Sequence, residues 1–286
     1  LCNNEFMTGF VGSRIVELLT RGPASAAELV PLLGVSQPTL SRALRPLEAA
    51  GRVVRFGTTR GARYGLAREV RGLGSEWPLY RIDESGRPSE LGTVLAIERD
   101  HYFGRSPTPR VAGLGEGLPY YLHDARPAGF MGRAIPARHP DLGLPPRIVD
   151  WTDDHVLAFL VQRGDDTAGD LLVGRESLDR YLADEHGPPR VAVHERGSRY
   201  PELATQAMQG APAGSSAQGE HPKFDVRLDR GGETVHAIVK FSPVRTTPAG
   251  ERWSDLLVCE ALASECLNAA GIRAARSEVV EAGGRT

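Results

Sequence analysis

The sequence predicts an α+β fold, and three patterns along its 286 residues support this prediction. Residues 12 to 68 have the pattern of short capped helices followed by two short strands. Residues 77 to 103 have the pattern of a strand meander. Residues 214 to 270 contain a small-residue loop, then an apolar strand and a long helix. Helices and strands are thus both expected throughout the chain.

Residues 12 to 68 predict a winged helix-turn-helix. A first helix is expected from Gly12 to Arg21, where apolar residues lie on one side. Ser25 and Glu28 have the spacing of a capping box at the start of a second helix, and Ser36 is placed to cap a third. Strands at 52 to 56 and 62 to 66 then form the expected wing.

The third helix and the wing supply the candidate DNA-binding residues. Polar and basic side chains on the exposed face of such a helix reach base edges and phosphates in the major groove. The candidates are Gln37, Thr39, Ser41, Arg42 and Arg45 on the helix, and Arg55, Arg60 and Arg63 on the wing. The alternative is a three-helix scaffold with a solvated arginine face used for dimerisation, so a homodimer is a second candidate partner.

Charge is distributed unevenly along the chain. The whole chain has a net charge of −2, whereas residues 1 to 71 contain ten arginines and five glutamates. A basic front domain on an acidic body indicates local contact with a polyanion, and double-stranded DNA is the expected partner. Pro46 lacks a backbone donor, which predicts a kink or an early end of the third helix near Arg45.

The middle of the chain alternates between regular and irregular segments. Strands are expected at 79 to 82 and 93 to 97, and helices from Thr152 to about Gln162 and from Glu176 to Glu185. The intervening region is rich in proline and glycine, and its clustered aromatic and aliphatic residues are interpreted as core anchors. These anchors are expected at 118 to 122 and 129 to 131.

The loop before residue 220 has the composition of an anion-binding loop. Its residues are small, so backbone N–H groups can surround an anion; they are Gly214, Ser215, Ser216, Ala217, Gln218 and Gly219. Lys240 follows in the apolar strand Ala237 to Phe241, where a lysine is out of place unless its ammonium meets an anion. The alternative is a flexible linker and an edge strand whose lysine extends to water.

The segments GEHPKF, AIVKFSP and AAGI occur in an order that resembles the HipA family of bacterial serine/threonine kinases. Two further matches lie upstream, GLPYYLHDARPAGFMGRA at 117 to 134 and GDDTAGDLLVG at 164 to 174. The chain is most similar to the YjjJ-like branch, which has a DNA-binding domain in front. Gln218 and His221 depart from this branch, where glycine and glutamine are expected.

The resemblance implies three domains: a winged helix-turn-helix at 1 to 71, a HipA-like N-terminal subdomain at 76 to 200, and a partial kinase N-lobe at 201 to 286. It also implies that Gly214 to Gly219 form the phosphate loop and that Lys240 binds ATP. Glu260 on the next helix would pair with Lys240. The alternative for Glu260 is an ordinary solvated carboxylate.

The resemblance further implies a toxin–antitoxin kinase that uses ATP and magnesium to phosphorylate a protein whose identity the sequence does not give. The catalytic residues and metal ligands of the family are expected beyond residue 286. No catalytic residue or metal ligand is therefore assigned in this chain, which alone is expected to be inactive. The rival hypothesis is a transcription regulator whose kinase-like body acts as a sensor or an oligomerisation platform.

Composition narrows the remaining possibilities. The sequence contains no apolar stretch of membrane-spanning length and no recognisable signal peptide, so no membrane contact and a cytoplasmic location are expected. Cys259 and Cys266 have no metal-ligand spacing and are expected to pack as small apolar groups. A strand at 276 to 280 followed by a turn at 282 to 285 is expected near residue 286.

Overall fold

The computed structural model describes residues 2–57, 61–183, 187–209 and 219–286, and it describes side chains from residue 9 onward. Contacts divide the chain into two compact units. Unit 1 contains Leu1–Arg126, Thr152–Asp165 and Gly169–Ala183, and unit 2 contains the remaining segments. The predicted front domain and the meander both belong to unit 1. The predicted domain boundaries at residues 71, 76 and 200 stay predictions.

Helices and strands are mixed along the chain, so the α+β prediction is confirmed. The α-helices are α1 (Cys2–Leu19), α2 (Ala26–Leu33), α3 (Gln37–Ala49), α4 (Gly129–Gly132), α5 (Ile135–Arg138), α6 (Asp153–Arg163), α7 (Arg175–Ala183), α8 (Arg196–Met208) and α9 (Pro248–Ala269). The strands are β1 (Ala24–Ser25), β2 (Val53–Phe56), β3 (Arg63–Leu66), β4 (Glu76–Ile82), β5 (Pro88–Ile97), β6 (His101–Arg105), β7 (Gly113–Glu116), β8 (Leu171–Val173), β9 (Arg190–Ala192), β10 (Lys223–Arg230) and β11 (Glu233–Lys240). None of the described helices has the length and apolar character that a membrane crossing needs.

The front of unit 1 is a winged helix-turn-helix, as predicted. Helices α1, α2 and α3 pack around Ile15, Leu29 and Leu40, which are at most 1% exposed. The wing is an antiparallel sheet with the strand order β1-β3-β2. The capping box is present, because the Ser25 hydroxyl accepts a hydrogen bond from the Glu28 amide and the Glu28 carboxylate accepts one from the Ser25 amide.

The early end of the helix expected near Arg45 is wrong, since α3 continues through Pro46 to Ala49. The kink given as its alternative stays a prediction. Pro46 lies on the exposed side of the helix, where water can bond the carbonyl that has lost its partner. On the inner side, Leu47 packs against the core of the front domain. The last turn is held by a hydrogen bond from the Ala50 amide to the Pro46 carbonyl at 3.0 Å. Packing therefore outweighs the local cost of the proline.

A five-stranded antiparallel sheet forms the rest of unit 1, with the order β7-β6-β5-β4-β8. Helix α6 begins at the cap residue Thr152, as predicted, and its central residues are buried. The expected anchors Leu118 and Leu122 are at most 3% exposed, and so is Met131 in unit 2. Tyr120, between the first two, is 65% exposed.

Arg68 connects the wing to this sheet. Its amide donates to the Ala96 carbonyl at 2.9 Å, and the neighbouring Ala67 forms a β-bridge with Ile97. The Arg68 guanidinium forms a bidentate ion pair with Asp154 in the first turn of α6. The hydroxyl of Tyr102 on β6 donates to the same carboxylate. Four segments of unit 1 are thus joined by one partly buried polar cluster.

Unit 2 contains a three-stranded sheet with the order β11-β10-β9, in which β10 is antiparallel to β11 and parallel to β9. Helix α8 covers one face of this sheet. The core between them is made of residues at most 9% exposed: Met131, Val191, Tyr200, Leu203, Ala204, Ala207, Phe224, Val226 and Phe241. Since β10 is the central strand, its residues from Lys223 to Val226 are buried on both faces of the sheet.

Two expectations for the last part of unit 2 are wrong. Cys259 and Cys266 are exposed on α9, because most apolar residues of this helix face away from the described core. No strand forms at 276 to 280, although the structure describes this segment. Glu278 is held instead by ion pairs with Arg196 and Arg230. The turn expected at 282 to 285 is present.

We predict that Asp154→Asn lowers the stability of the chain at pH 7 by about 1–3 kcal/mol, because Arg68 loses its ionised partner. Burial opposes ionisation of Asp154, but hydrogen bonds from Arg68 and Tyr102 outweigh it and hold the pKa of Asp154 below its usual value. The stabilisation is therefore present at neutral pH and is lost as the pH falls below about 4.

Urea denaturation at pH 7, 5 and 3 checks this prediction, with Asp170→Asn as the control. Asp170 also pairs with an arginine, Arg81, but both side chains of that pair are at least 50% exposed. The control should therefore change stability by less than about 1 kcal/mol. The difference between Asp154→Asn and the unsubstituted chain should narrow at pH 3; a constant difference would contradict the role assigned to Asp154.

Candidate functional site

Lys240 and Glu260 are brought together as the sequence predicts. Lys240 ends β11, and Glu260 lies on α9, 20 residues later. The Lys240 ammonium donates to a carboxylate oxygen of Glu260. The Lys240 side chain is 35% exposed and that of Glu260 is 56% exposed, so the pair lies at the surface of unit 2. Their role in binding ATP stays a prediction.

A second lysine lies directly across the sheet from the first. In the register of β10 and β11, Lys223 is the partner of Lys240, and their side chains lie on the same face. Lys223 is only 3% exposed. The more deeply buried of the two lysines is therefore Lys223, which the sequence interpretation missed.

A simple count would have drawn attention to Lys223. Of the 34 lysines and arginines in the sequence, only Lys223 and Lys240 are lysines. Lysine and arginine are not equivalent, since the ammonium is a compact point charge and the guanidinium is a planar fork. A chain that otherwise uses arginine throughout places both lysines opposite each other on two adjacent strands.

The environment of Lys223 disfavours its charge. Burial lowers the pKa of Lys223, and the nearby ammonium of Lys240 lowers it further. The carboxylates of Asp225, Glu220 and Glu260 act in the opposite direction and favour the charged form. Lys223 therefore lies in a mixed cluster of ammonium and carboxylate groups.

Gly219, at the end of the predicted phosphate loop, is fixed next to Lys223. A Cβ atom on Gly219 would lie 3.2 Å from the Lys223 ammonium, and its φ of +105° also favours glycine. The Gly219 carbonyl accepts a hydrogen bond from the Phe130 amide at 3.0 Å. Gly129 allows this approach, because a Cβ there would lie 2.7 Å from the Gly219 nitrogen. Gly214 to Gln218 lie outside the described residues.

His221 lies between the loop end and the two lysines. Its ring packs against Trp253 of α9 with a centroid distance of 4.7 Å. Its Nε2 atom is buried and has no hydrogen-bond partner among the described residues. Burial lowers the pKa of His221, and the positive charge of Lys240 lowers it further. The ring is therefore neutral at pH 7 and contributes no charge to the site.

Most of the candidate DNA-binding residues are exposed on the front domain. All those the structure describes are exposed except Thr39, which is half-buried; the exposed ones are Gln37, Ser41, Arg42, Arg45, Arg55 and Arg63. The Arg63 guanidinium donates to the Pro23 carbonyl, which restrains it next to β1. The guanidinium of Arg42 lies against Pro38 and Thr39. Arg60 lies outside the described residues.

A metal centre is not formed by the part of the chain that the structure describes, where no three His, Cys, Asp or Glu side chains cluster closely enough to hold an ion. Asp225, Glu220 and Glu260 are the carboxylates whose charges act on Lys223. Lys240 holds Glu260 by an ion pair, and Arg133 holds Glu220 in the same way.

Comparison with known proteins identifies the two parts of unit 1. Residues 13–53 match the family model of bacterial regulatory proteins of the arsR family. Residues 73–182 match the model of the YjjJ-like toxin middle domain. Residues 73–182 are therefore similar to the middle domain of YjjJ-like toxins. The relationship to the YjjJ-like branch that the sequence predicts is therefore confirmed.

One curated relative extends the similarity beyond the YjjJ-like middle domain. The chain is 34% identical over 269 residues to Toxin YjjJ of Escherichia coli (strain K12). The match covers 94% of this chain and 60% of that protein. The similarity to a YjjJ-like protein thus includes most of the residues of unit 2 that surround Lys223 and Lys240.

We predict that Gly129→Ala destabilises the chain more than Gly271→Ala does. Both glycines have positive φ, +65° and +75°, so each alanine carries a similar backbone strain of about 1 kcal/mol. Only at Gly129 does the added Cβ also meet Gly219. Thermal denaturation measures the difference, and hydrogen exchange of the Phe130 amide reports the bond to Gly219. Equal losses for the two variants would contradict a close approach of Gly129 to Gly219.

Proposed function

We propose that this chain is the DNA-binding and ATP-binding part of a HipA-like protein serine/threonine kinase of toxin–antitoxin type. The observation that carries the proposal is the ion pair between Lys240 at the end of β11 and Glu260 on α9. The similarity to a YjjJ-like toxin over most of the chain supports it. So does the helix-turn-helix, which is the fold of many DNA-binding proteins.

In this proposal Gly214 to Gly219 and Lys240 hold the phosphates of ATP. Glu260 positions the ammonium, which is the arrangement that phosphoryl transfer by kinases requires. Magnesium, when bound with ATP, neutralises charge on the phosphates. We assign no residue of this chain to the metal or to the base that accepts the proton of the substrate hydroxyl. The protein substrate is a serine or threonine side chain in a partner of unknown identity.

The residues of the site fit such a ligand. The Lys223 ammonium and the backbone of Gly219 lie next to each other, so a cationic side chain and the end of a small-residue loop occur together. His221 is neutral and therefore does not repel magnesium. An anion bound across the two lysines would also reduce their mutual repulsion.

DNA binding is proposed for α3 and the wing. The recognition helix of a helix-turn-helix lies in the major groove, and its exposed polar side chains contact bases and phosphates. The arginines available on this surface are Arg42, Arg45 and Arg55, whereas Arg63 is restrained by Pro23. The excess of positive charge in the first 71 residues supports the proposal.

A second candidate function is transcriptional regulation by the same front domain, with unit 2 acting as a nucleotide sensor. The match of residues 13–53 to the arsR family of regulatory proteins favours it. Under this alternative, ATP changes the affinity for DNA and no phosphate is transferred to a protein. A DNA-binding titration with and without ATP, run beside a phosphotransfer assay, separates the two candidates.

For the nucleotide site we predict weak ATP binding with a Kd of about 1 mM, because few charge-assisted contacts are available. Lys240→Met should weaken binding by about tenfold or more, since each such contact contributes about 1.5–3 kcal/mol. Glu260→Gln should weaken binding less, because it only releases the ammonium from its fixed position. Isothermal calorimetry or an NMR titration measures both effects.

Glu265→Gln is the matched control for Glu260→Gln, because Glu265 is exposed on the same helix. It should leave ATP affinity unchanged. If millimolar ATP perturbs neither the amide of Gly219 nor the signals of Lys240, the loop is a linker and the ATP assignment is wrong.

For the front domain we predict that Arg42→Ala and Arg45→Ala each weaken binding to duplex DNA. Each phosphate contact that is lost should also reduce the slope of log K against log salt by about 0.9. Fluorescence anisotropy at several salt concentrations measures the affinity and the slope. Arg87→Ala, an exposed arginine in the turn between β4 and β5, is the control and should change neither. Salt-independent binding, or none at low salt, would refute the DNA interface.

A further inference from the structure

We propose that the five-stranded sheet of unit 1 holds the wing in position for DNA, and that Phe103 on β6 is the positioning residue. The side chain that it positions is Arg55 of β2, one of the candidate DNA-binding residues. This inference rests on the proposed function, since it assumes that the front domain binds duplex DNA. Three observations lead to it: an apolar cluster between the wing and the sheet, the alternation of side chains along β2, and a glycine that lets the wing approach the sheet.

The apolar cluster joins the outer face of the wing to the sheet. Two residues of β2 and two of β5 form it, all at most 6% exposed: Val54, Phe56, Leu95 and Ile97. Phe103 packs against them, and its ring centroid lies 4.6 Å from that of Phe56. Aromatic pairs at such a distance contribute to stability beyond the apolar area that they bury. Without the sheet, this face of the wing would leave two large apolar side chains in water.

The alternation of side chains along β2 turns Arg55 away from the cluster. Successive residues of a strand point to opposite faces, so Arg55 shares a face with Val53 and not with Val54 or Phe56. Val53 packs into the core of the front domain together with residues of α3. Tyr64, the partner of Arg55 on β3, packs against the same core. Arg55 is exposed and therefore lies on the side of the wing where α3 lies.

A glycine in β3 lets the wing lie close to the sheet. A Cβ atom on Gly65 would lie 2.6 Å from the Ile97 Cγ2 atom and 2.9 Å from the ring of Phe56, which is closer than side chains can pack. Gly65 is the partner of Val54 in the register of β2 and β3. The β-bridge between Ala67 and Ile97 continues the approach along the chain. The wing is thus held against the sheet at a defined position.

A wing held in this way can strengthen a contact that the sheet itself does not make. A side chain on a preorganised segment loses less conformational freedom when it binds than the same side chain on a free segment. Because Phe56 is fixed by Phe103, its neighbour Arg55 is fixed in direction as well. Helix α3 is held instead by the core of the front domain, whose described residues do not include Phe103. The contribution of Arg42 on α3 should therefore not depend on Phe103.

The competing interpretation is that Phe103 only stabilises the fold of unit 1. A double-mutant cycle on the full chain decides between the two, with a fluorescein-labelled DNA duplex of mixed sequence as the probe. Phe103→Leu is combined in turn with Arg55→Ala and with Arg42→Ala. Fluorescence anisotropy at several salt concentrations gives the affinity and the slope of log K against log salt.

We expect Phe103→Leu to act on DNA binding as Arg55→Ala does. Each should weaken binding by about tenfold, the loss of one charge-assisted contact, and should reduce the salt slope by about 0.9. Arg55→Ala should then add little in the Phe103→Leu background. Arg42→Ala should keep its full effect there.

Two further variants separate positioning from stability. Phe159→Leu changes a phenylalanine that is 3% exposed on α6, and it should lower the Tm without changing the salt slope. Leu114→Ala shortens a partly buried side chain that packs against the same cluster as Phe103. It should reduce the salt slope in the same direction, and it carries the test if thermal denaturation shows that Phe103→Leu does not fold.

The outcomes also separate this inference from the proposed DNA interface. If Phe103→Leu leaves the salt slope unchanged, or if Arg55→Ala keeps its full effect in that background, the wing does not depend on the sheet and the inference is wrong. It is equally wrong if Phe103→Leu reduces the effects of Arg42→Ala and Arg55→Ala alike, because Phe103 then supports the whole front domain. If the unsubstituted chain shows no salt-dependent binding, the proposed DNA interface fails and the inference fails with it.

Discussion

The antiparallel register of β10 and β11 is the constraint on which the candidate site depends. A shift by one residue would turn every side chain of a strand to the opposite face of the sheet. The register is held by Phe224 and its partner Val239, which both pack into the core on the face covered by α8. The same register places Lys223 and Lys240 on the other face. The packing of the apolar core therefore fixes the positions of Lys223 and Lys240. It places their two ammonium groups opposite each other on the sheet.

In unit 1, a polar cluster of Arg68, Asp154 and Tyr102 links the wing to the five-stranded sheet and to α6. Arg68 follows directly after the wing, and its partners Asp154 and Tyr102 belong to α6 and β6 of the YjjJ-like middle domain. Desolvation offsets much of the attraction in such a partly buried ion pair, so removal of one partner costs more than the intact pair contributes. Hydrogen bonds between backbones, such as that from Arg68 to Ala96, reinforce the connection. The helix-turn-helix is thus continuous with the middle domain within unit 1.

The two candidate activities belong to different units. The DNA-binding surface lies on the front of unit 1, and the two lysines lie on the sheet of unit 2. Under the two proposals, the positive charge of the front domain meets a long polyanion, and unit 2 meets the compact polyphosphate of ATP.

The sequence by itself determined the elements whose signals are local. Capping residues such as Ser25 and Thr152 predicted the starts of helices, and the helix-turn-helix with its wing followed from them. The partnership of Lys240 and Glu260 came from family resemblance. Only the tertiary structure revealed Lys223, the anchoring of Gly219 by Gly129, and the continuation of α3 through Pro46. Each of these features depends on contacts between separate segments of the chain. In such contacts, packing and strand register outweigh the local conformational preference of a residue. A single sequence carries no direct record of them.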